Sequence, residues 1–208
     1  MNRPGFLRRL VWLAPLAMAM ACAEPDPYEG PTELDARAAV GAVEGTDIVL
    51  GALIDGDSLN VYQCGGDQTF ATHTGWFRGV IGNGDDLDAF ELVLGDMQLR
   101  GSRDEDGLEG ELVEADGSEH HFRVDAVADD DEAGVYVADV GDVHVGVVVR
   151  PDANGELVAQ GASCEGTLPC TQVIILAPLT ITDEKIDVQV DTQSGQLDTQ
   201  VTRTLTPS

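Results

Sequence analysis

From residue 46 onward the sequence consists of short runs rich in Val, Ile, Leu and Thr. Gly, Asp and Asn interrupt these runs roughly every 8 to 12 residues, a spacing typical of antiparallel strands. Asp-Gly pairs supply the positive φ that tight hairpin turns need, and Asp116-Gly117 is the clearest of them. The pattern therefore predicts an all-β fold, with an antiparallel barrel-like or sandwich domain over residues 46–170.

Residues 171–208 continue the pattern as C-terminal strands and a hairpin. Ile186, Val188 and Val190 alternate with polar residues before the chain turns at Ser194-Gly195. An isolated hairpin is marginally stable in water, so we expect this one to add strands to the sheet of the main domain. Its edge is also a candidate place for a partner strand to pair.

The first 22 residues have the layout of a secretion signal. Arg3, Arg8 and Arg9 precede an apolar run, and small residues lead up to Cys22. The run has about 11 apolar residues, whereas a transmembrane helix needs roughly 20. A signal peptide over residues 1–21 is therefore predicted.

The same segment resembles a bacterial lipoprotein signal, in which the peptidase cuts before a cysteine that then carries diacylglycerol. The resemblance implies lipid attachment at Cys22, whereas cleavage by the general signal peptidase would leave an ordinary cysteine. Residues 22–45 are rich in Pro, Glu and Ala, which predicts a disordered tether that holds the domain off a membrane. Ala23 follows the cysteine, and a Gram-negative sorting rule then implies an outer-membrane lipoprotein facing the periplasm or the exterior.

The charge of the chain restricts its partners. It carries 38 acidic and 11 basic residues, a formal net charge of −27. A nucleic-acid-binding surface needs a basic face to meet the phosphates, so nucleic acid is excluded as a partner. Contact with an anionic membrane is expected through the lipid anchor alone, because the chain offers that surface no electrostatic attraction.

Cys64, Cys164 and Cys170 are the candidates for disulfide formation in an oxidising compartment. If Cys22 is lipidated, one disulfide and one spare thiol remain; if it is not, two disulfides can form. Cys164 and Cys170 bracket a short loop and could form a local bond. We favour Cys64 with Cys164 or Cys170, because closing a loop of about a hundred residues stabilises by about 4 to 5 kcal/mol on the chain-entropy model.

Six short motifs follow one another across residues 48–149. In this order and spacing they resemble a small β-domain that recurs in secreted proteins of actinobacteria and for which no function is established. The resemblance implies a β fold and an extracellular setting, and it assigns no site residue. The motifs are Tyr62-Gln63-Cys64-Gly65-Gly66, Trp76-Phe77-Arg78-Gly79, Leu99-Arg100-Gly101, Leu108-Glu109-Gly110, Asp116-Gly117 and Ala133-Gly134-Val135-Tyr136.

Acidic residues are concentrated in the predicted turns. Carboxylates are the hard oxygen ligands that Ca²⁺ prefers, and extracellular Ca²⁺ sites are often weak, with Kd values of roughly 0.1 to 1 mM. Ca²⁺ is thus the one candidate cofactor, and the other interpretation is that the loops are solvated, repel one another and bind no cofactor. The candidate metal ligands are Asp85, Asp86 and Asp88 in one turn and Asp129, Asp130 and Asp131 in another.

The residue types typical of catalysis are scattered. His120 and His121 are neighbours in a predicted strand, so they point to opposite faces, and His120 shares the apolar face of Phe122 and Val124. Ser163 lacks the pattern and the strand-to-helix setting of a nucleophile elbow. No catalytic residue is therefore predicted.

Together these features predict an envelope-anchored, non-catalytic binding or structural lipoprotein whose partner is an envelope protein or a glycan. Trp76, Phe77 and Tyr62 are candidate stacking contacts, with core packing as the alternative interpretation of each. The second functional hypothesis is a Ca²⁺-dependent module, or a weak hydrolase, that uses the acidic loops.

Overall fold

Residues 37–82 and 86–205 are described in a computed structural model, and every regular element within them is a β-strand. The predicted all-β class is thereby confirmed. The predicted signal peptide and Cys22 lie outside the described residues, as does the part of the predicted tether that precedes residue 37.

Eight antiparallel strands form a first barrel-like sheet, called the first barrel below. Their order across the sheet is β4-β3-β2-β1-β8-β7-β6-β5, so the edge strands are β4 and β5. These two edges meet at a bridge between Ile81 and Phe90. The strands are β1 (Arg37–Val43), β2 (Val49–Asp55), β3 (Ser58–Cys64), β4 (Thr74–Val80), β5 (Ala89–Leu94), β6 (Met97–Arg103), β7 (Gly107–Val113) and β8 (Glu119–Val127).

Side-chain packing closes the rest of the seam between β4 and β5. A Cβ placed on Gly79 would lie 2.5 Å from Cδ2 of Leu92, and one on Gly75 would lie 2.9 Å from Cδ2 of Leu94. The leucines of β5 thus occupy the space that the glycines of β4 leave open. Glycine in a strand commonly marks such a close approach.

Strand β1 corrects one boundary predicted from the sequence. Residues 37–43 belong to the first barrel rather than to a tether, with β1 paired to β2 on one side and to β8 on the other. Ala38, Ala39 and Val40 are buried, because one face of β1 looks into the barrel and the other lies against β9 and β10. A strand buried on both faces does not alternate between apolar and polar residues, so the segment lacks the usual strand signal.

Large apolar side chains fill the interior of the first barrel. They come from the inward-facing positions of all eight strands, as the two-residue period of a strand requires. Full burial of one such side chain stabilises the fold by about 1.5 to 3 kcal/mol. The largest are Leu50, Leu59, Phe77, Leu92, Leu99, Leu108, Leu112 and Phe122.

The remaining strands form a second barrel-like sheet, called the second barrel below. Its order is β12-β11-β10-β9-β16-β15-β13, with β14 paired to β15. The amide of Val173 donates to the carbonyl oxygen of Gly161 at 3.0 Å and helps to close it. The strands are β9 (Gly134–Val140), β10 (Val143–Pro151), β11 (Leu157–Glu165), β12 (Thr171–Gln172), β13 (Ile174–Ile175), β14 (Ile181–Thr182), β15 (Lys185–Thr192) and β16 (Gly195–Thr204).

The predicted C-terminal hairpin is present as β15 and β16, paired along their whole length. It contributes strands to the sheet of β9–β11, as expected, because Thr202, Arg203 and Thr204 of β16 pair with β9. The C-terminal strands predicted from residue 171 onward therefore share one sheet with β9–β11, which lie in the predicted β-domain of residues 46–170.

The two barrels pack against each other through the outer face of β1–β4 and the strands β9–β11. Gly51 permits the approach, since a Cβ there would lie 2.6 Å from Cγ2 of Val135. Gln160 adds polar contacts, with its Nε2 donating to the carbonyl oxygens of Asp47 at 3.1 Å and Cys64 at 2.6 Å. The described chain therefore has an apolar interface between its barrels in addition to the two barrel interiors.

Candidate ligand-binding site

The aromatic side chains predicted as stacking contacts are used in packing. Phe77 is 0% exposed in the interior of the first barrel, and Tyr62 is 3% exposed between the barrels. Trp76 is half-buried, with its ring centroid 5.0 Å from that of Tyr62 and the guanidinium of Arg78 5.8 Å from its own. The alternative interpretation, core packing, is therefore confirmed for Phe77 and Tyr62, and the prediction that they are surface stacking contacts is wrong.

The cysteines pair differently from the favoured prediction. Cys164 and Cys170 form the disulfide, with Cα atoms 4.2 Å apart across the turn between β11 and β12. Cys64 is a free, fully buried cysteine at the end of β3, and burial raises the pKa of its thiol to about 11. The favoured bond between Cys64 and one of these cysteines is wrong, because the turn between β11 and β12 already holds Cys164 and Cys170 within bonding distance of each other.

The first acidic turn contributes internal contacts. Asp86 accepts a hydrogen bond from the amide of Asp88 at 3.0 Å, and Asp88 pairs with Arg103 at 3.3 Å. Asp85 lies outside the described residues.

The second acidic turn surrounds a buried arginine. The guanidinium of Arg203 donates to the carbonyl oxygens of Asp129 at 2.6 Å and Ala128 at 2.8 Å, and its side chain is only 2% exposed. Asp131 accepts a bond from the amide of Ala133 at 3.0 Å, and Asp130 lines the same cavity as Arg203. Within 37–82 and 86–205 no three histidine, cysteine or carboxylate side chains are grouped to hold a metal ion, and Ca²⁺ binding stays a prediction.

The histidines of β8 lie as their spacing predicts. His121 points outward, 3.3 Å from the carboxylate of Glu44. His120 is partly buried, and its Nε2 lies 3.4 Å from Glu114. The same carboxylate lies 3.0 Å from Nε2 of the buried His73, so the end of the first barrel carries a cluster of two imidazoles and one carboxylate. The sequence shows nothing of this cluster, because His73 and Glu114 meet only once the barrel is closed.

A cavity of about 490 Å³ opens at the opposite end of the first barrel and is called the mouth cavity below. It lies where β1 and β5 begin and where β2, β6 and β8 end. Ligand pockets have volumes of about 300 to 1,000 Å³ and often occupy the mouths of β-barrels. The mouth cavity has the size and the place of a small-molecule site.

Two of the chain's few basic residues line this cavity, Arg37 and Arg103. Arg103 donates through Nη1 to the carbonyl oxygen of Gly56 at 3.2 Å and through Nη2 to Asp88 at 3.3 Å. A guanidinium has five N–H donors in a rigid fork, so these two bonds leave donors for a ligand. The side chain of Arg103 is 31% exposed, which keeps it accessible.

Carboxylates surround the arginines at the rim. Asp57, Asp88, Asp104 and Glu105 all line the cavity and are exposed. Desolvation opposes ionisation of Asp104, but the amide of Asp106 and the charge of Arg123 outweigh it and lower the pKa of Asp104. The rim therefore presents both signs of charge.

The lining below the rim is small and apolar. Ala38, Ala39 and Ile54 contribute to it from β1 and β2. Ala38 and Ala39 point to opposite faces of β1 and, like Ile54, are almost fully buried, so the lining offers a ligand little apolar surface. The arrangement suits a compact ligand that carries charge at its outer end and a short apolar part within.

The sequence matches no family model, and no curated protein and no solved structure matches the chain. A search of the described residues finds no helix with the length and apolar character needed to cross a membrane.

Proposed function

We propose that the protein is a non-catalytic binding lipoprotein of the bacterial envelope and that its ligand or partner engages the mouth cavity. The observation that carries the proposal is the convergence of Arg37 and Arg103 with four carboxylates on one cavity at the end of a rigid barrel. Charged groups held by a scaffold provide orientation and specificity, while apolar lining provides contact area.

The chain's own strands hold this site in place. Three connections supply its carboxylates: the turn between β2 and β3, the residues before β5 and the turn between β6 and β7. The amide of Arg103 donates to the carbonyl oxygen of Asp88 at 2.9 Å, which ties two of the connections together. Binding residues are typically found on loops that a rigid scaffold positions.

The proposed envelope location rests on the N-terminal sequence. Arg3, Arg8 and Arg9 with the apolar run that follows support export, and Cys22 supports attachment of a lipid. A polar tether of residues 22–36 would then leave the mouth cavity free to meet a partner away from the membrane.

Labelling cells with a radioactive fatty acid tests the anchor. We expect the wild-type chain to be labelled and the Cys22→Ser variant to remain unlabelled. Equal labelling of the two would refute lipidation.

Co-purification from envelope extracts tests the binding function. The tagged wild-type protein should retain a partner or ligand that Arg103→Gln loses. Arg100→Gln is the matched control, since Arg100 lies on the same strand, is exposed and pairs with Glu111 and Glu119 outside the cavity. Equal recovery with wild type and Arg103→Gln would count against the mouth cavity as the binding site.

A further inference from the structure

We infer that the mouth cavity binds a small zwitterion of the amino-acid class, namely a free amino acid or a short peptide with both ends unblocked. The inference rests on the proposed function and specifies the ligand of the same site. Its basis is the combination of opposite charges around a small apolar lining.

The anionic end of such a ligand has a defined partner. Arg103 keeps unused donors beside its bonds to Gly56 and Asp88, and both of those bonds are at the long end of the hydrogen-bond range. A carboxylate accepts from an arginine fork through two parallel bonds, an arrangement that fixes its orientation. Arg37 lies on the same cavity and strengthens the positive potential there.

The cationic end of the ligand meets the rim. Asp57, Asp104 and Glu105 are exposed carboxylates on the same cavity as Arg103. They lie on a chain of net charge −27, whose field attracts cations from a distance. An ammonium group would find several oxygen acceptors there.

A zwitterion fits better than an ion of one sign. A simple anion would approach a rim on which four carboxylates outnumber two arginines, and a simple cation would leave the remaining donors of Arg103 without an acceptor. A ligand with both charges satisfies both sets at once. Because the buried Ala39 and Ile54 offer a ligand little apolar surface, its apolar part is limited to a short side chain such as a methyl group.

Isothermal titration calorimetry of the full chain with dialanine tests the inference. We expect saturable binding of dialanine, and at least tenfold weaker binding of both N-acetyl-dialanine and dialanine amide, each of which lacks one charge. Free alanine is titrated in parallel to separate the two sources of the same chemistry, an amino acid and a peptide. Saturable binding of either one supports the inference, and the absence of heat with both up to millimolar concentration would overturn it.

Variants locate the binding. Arg103→Gln should weaken dialanine binding at least tenfold, Arg103→Lys should restore part of it, and Arg100→Gln should bind like wild type. A thermal melt of each variant shows whether it is folded. If Arg103→Gln is unfolded, the Arg103→Lys variant still tests whether the side chain at position 103 binds dialanine. Equal affinity of the blocked and unblocked peptides would also overturn the inference.

Failure of the inference can be told apart from failure of the proposed function. If no zwitterion binds but an envelope partner is still lost in Arg103→Gln, the mouth cavity binds another class of ligand and the proposed function stands. If the partner is retained by Arg103→Gln, the proposed function itself fails at this site.

Discussion

The hydroxyl of Tyr62 on β3 donates a hydrogen bond to the carbonyl oxygen of Gly146 on β10 at 3.2 Å, joining the first barrel to the second. The ring of Tyr62 also covers Gly146, since a Cβ at that glycine would lie 2.9 Å from Cζ of the tyrosine. The pair thus combines a polar bond with close packing at the centre of the interface between the barrels.

Substitutions of this pair should lower the free energy of unfolding. We expect Tyr62→Phe to cost about 1 kcal/mol, the usual net contribution of one hydrogen bond. Gly146→Ala should cost about 1 to 3 kcal/mol, because the added methyl group overpacks the ring. Urea denaturation measures both changes. Val158→Ala, at an exposed position of the adjacent strand β11, is the control and should change stability by less than about 0.5 kcal/mol. A Gly146→Ala variant as stable as this control would contradict the packing.

Replacing Arg203 should destabilise the second barrel. Arg203→Met keeps the apolar stem of the side chain but removes the guanidinium that donates to the carbonyl oxygens of Ala128 and Asp129. We expect a loss of about 1.5 to 3 kcal/mol in urea denaturation, because hydrogen bonds to a charged group contribute about that much. Lys185→Met, at an exposed position of β15, should have little effect. Unchanged stability of Arg203→Met would mean that desolvation of the guanidinium cancels its hydrogen bonds.

The thiol of Cys64 should make stability fall at alkaline pH. Burial raises its pKa from 9.0 to about 11, so the folded chain keeps the proton in a range where the unfolded chain releases it. The stabilisation that the protonated thiol provides is complete below the pKa of Cys64 in the unfolded chain. It is lost as the pH rises from that value to the pKa of Cys64 in the folded chain. The difference in unfolding free energy between wild type and Cys64→Ala should shrink by about 3 kcal/mol across that window. A difference that does not change with pH would contradict the burial of the thiol.

The disulfide should be local and of moderate strength. Non-reducing peptide mapping should find Cys164 joined to Cys170, with Cys64 alkylated only after unfolding. The double variant Cys164→Ser/Cys170→Ser should lose roughly 2 kcal/mol, because the closed loop is short. A peptide that links Cys64 to either partner would contradict the observed pairing.

Much of the strand pattern could be predicted because it depends on neighbours in the chain. Asp116-Gly117 forms a hairpin turn between β7 and β8, and the alternation in β15 matches its buried Ile186, Val188 and Val190. Strand β1 escaped prediction because its alanines have low β-propensity and because Ala38 and Val40, on its outer face, become buried only when the second barrel covers them.

The candidate site was predictable only in its parts. The turns that contain Asp57 and Asp104 follow from local residues, because Asp and Gly are concentrated there. Their meeting at one cavity depends on the register of a closed sheet, as the bond from Arg103 to the carbonyl of Gly56 shows. The same holds for Arg203, whose bonds to Ala128 and Asp129 cross more than 70 positions of the chain.

The placement of β1 and β16 has a consequence for biosynthesis. The ribosome synthesises the chain from its N-terminus, so β1 emerges well before its partner β8, and β9 emerges well before its partner β16. The first barrel must therefore wait for residue 127 before it can close, and the second for residues 202–204. Until then the apolar faces that later meet between the barrels are open to solvent, and such nascent intermediates are prone to aggregate. A chaperone that shields these faces during synthesis would protect the protein at its most vulnerable stage.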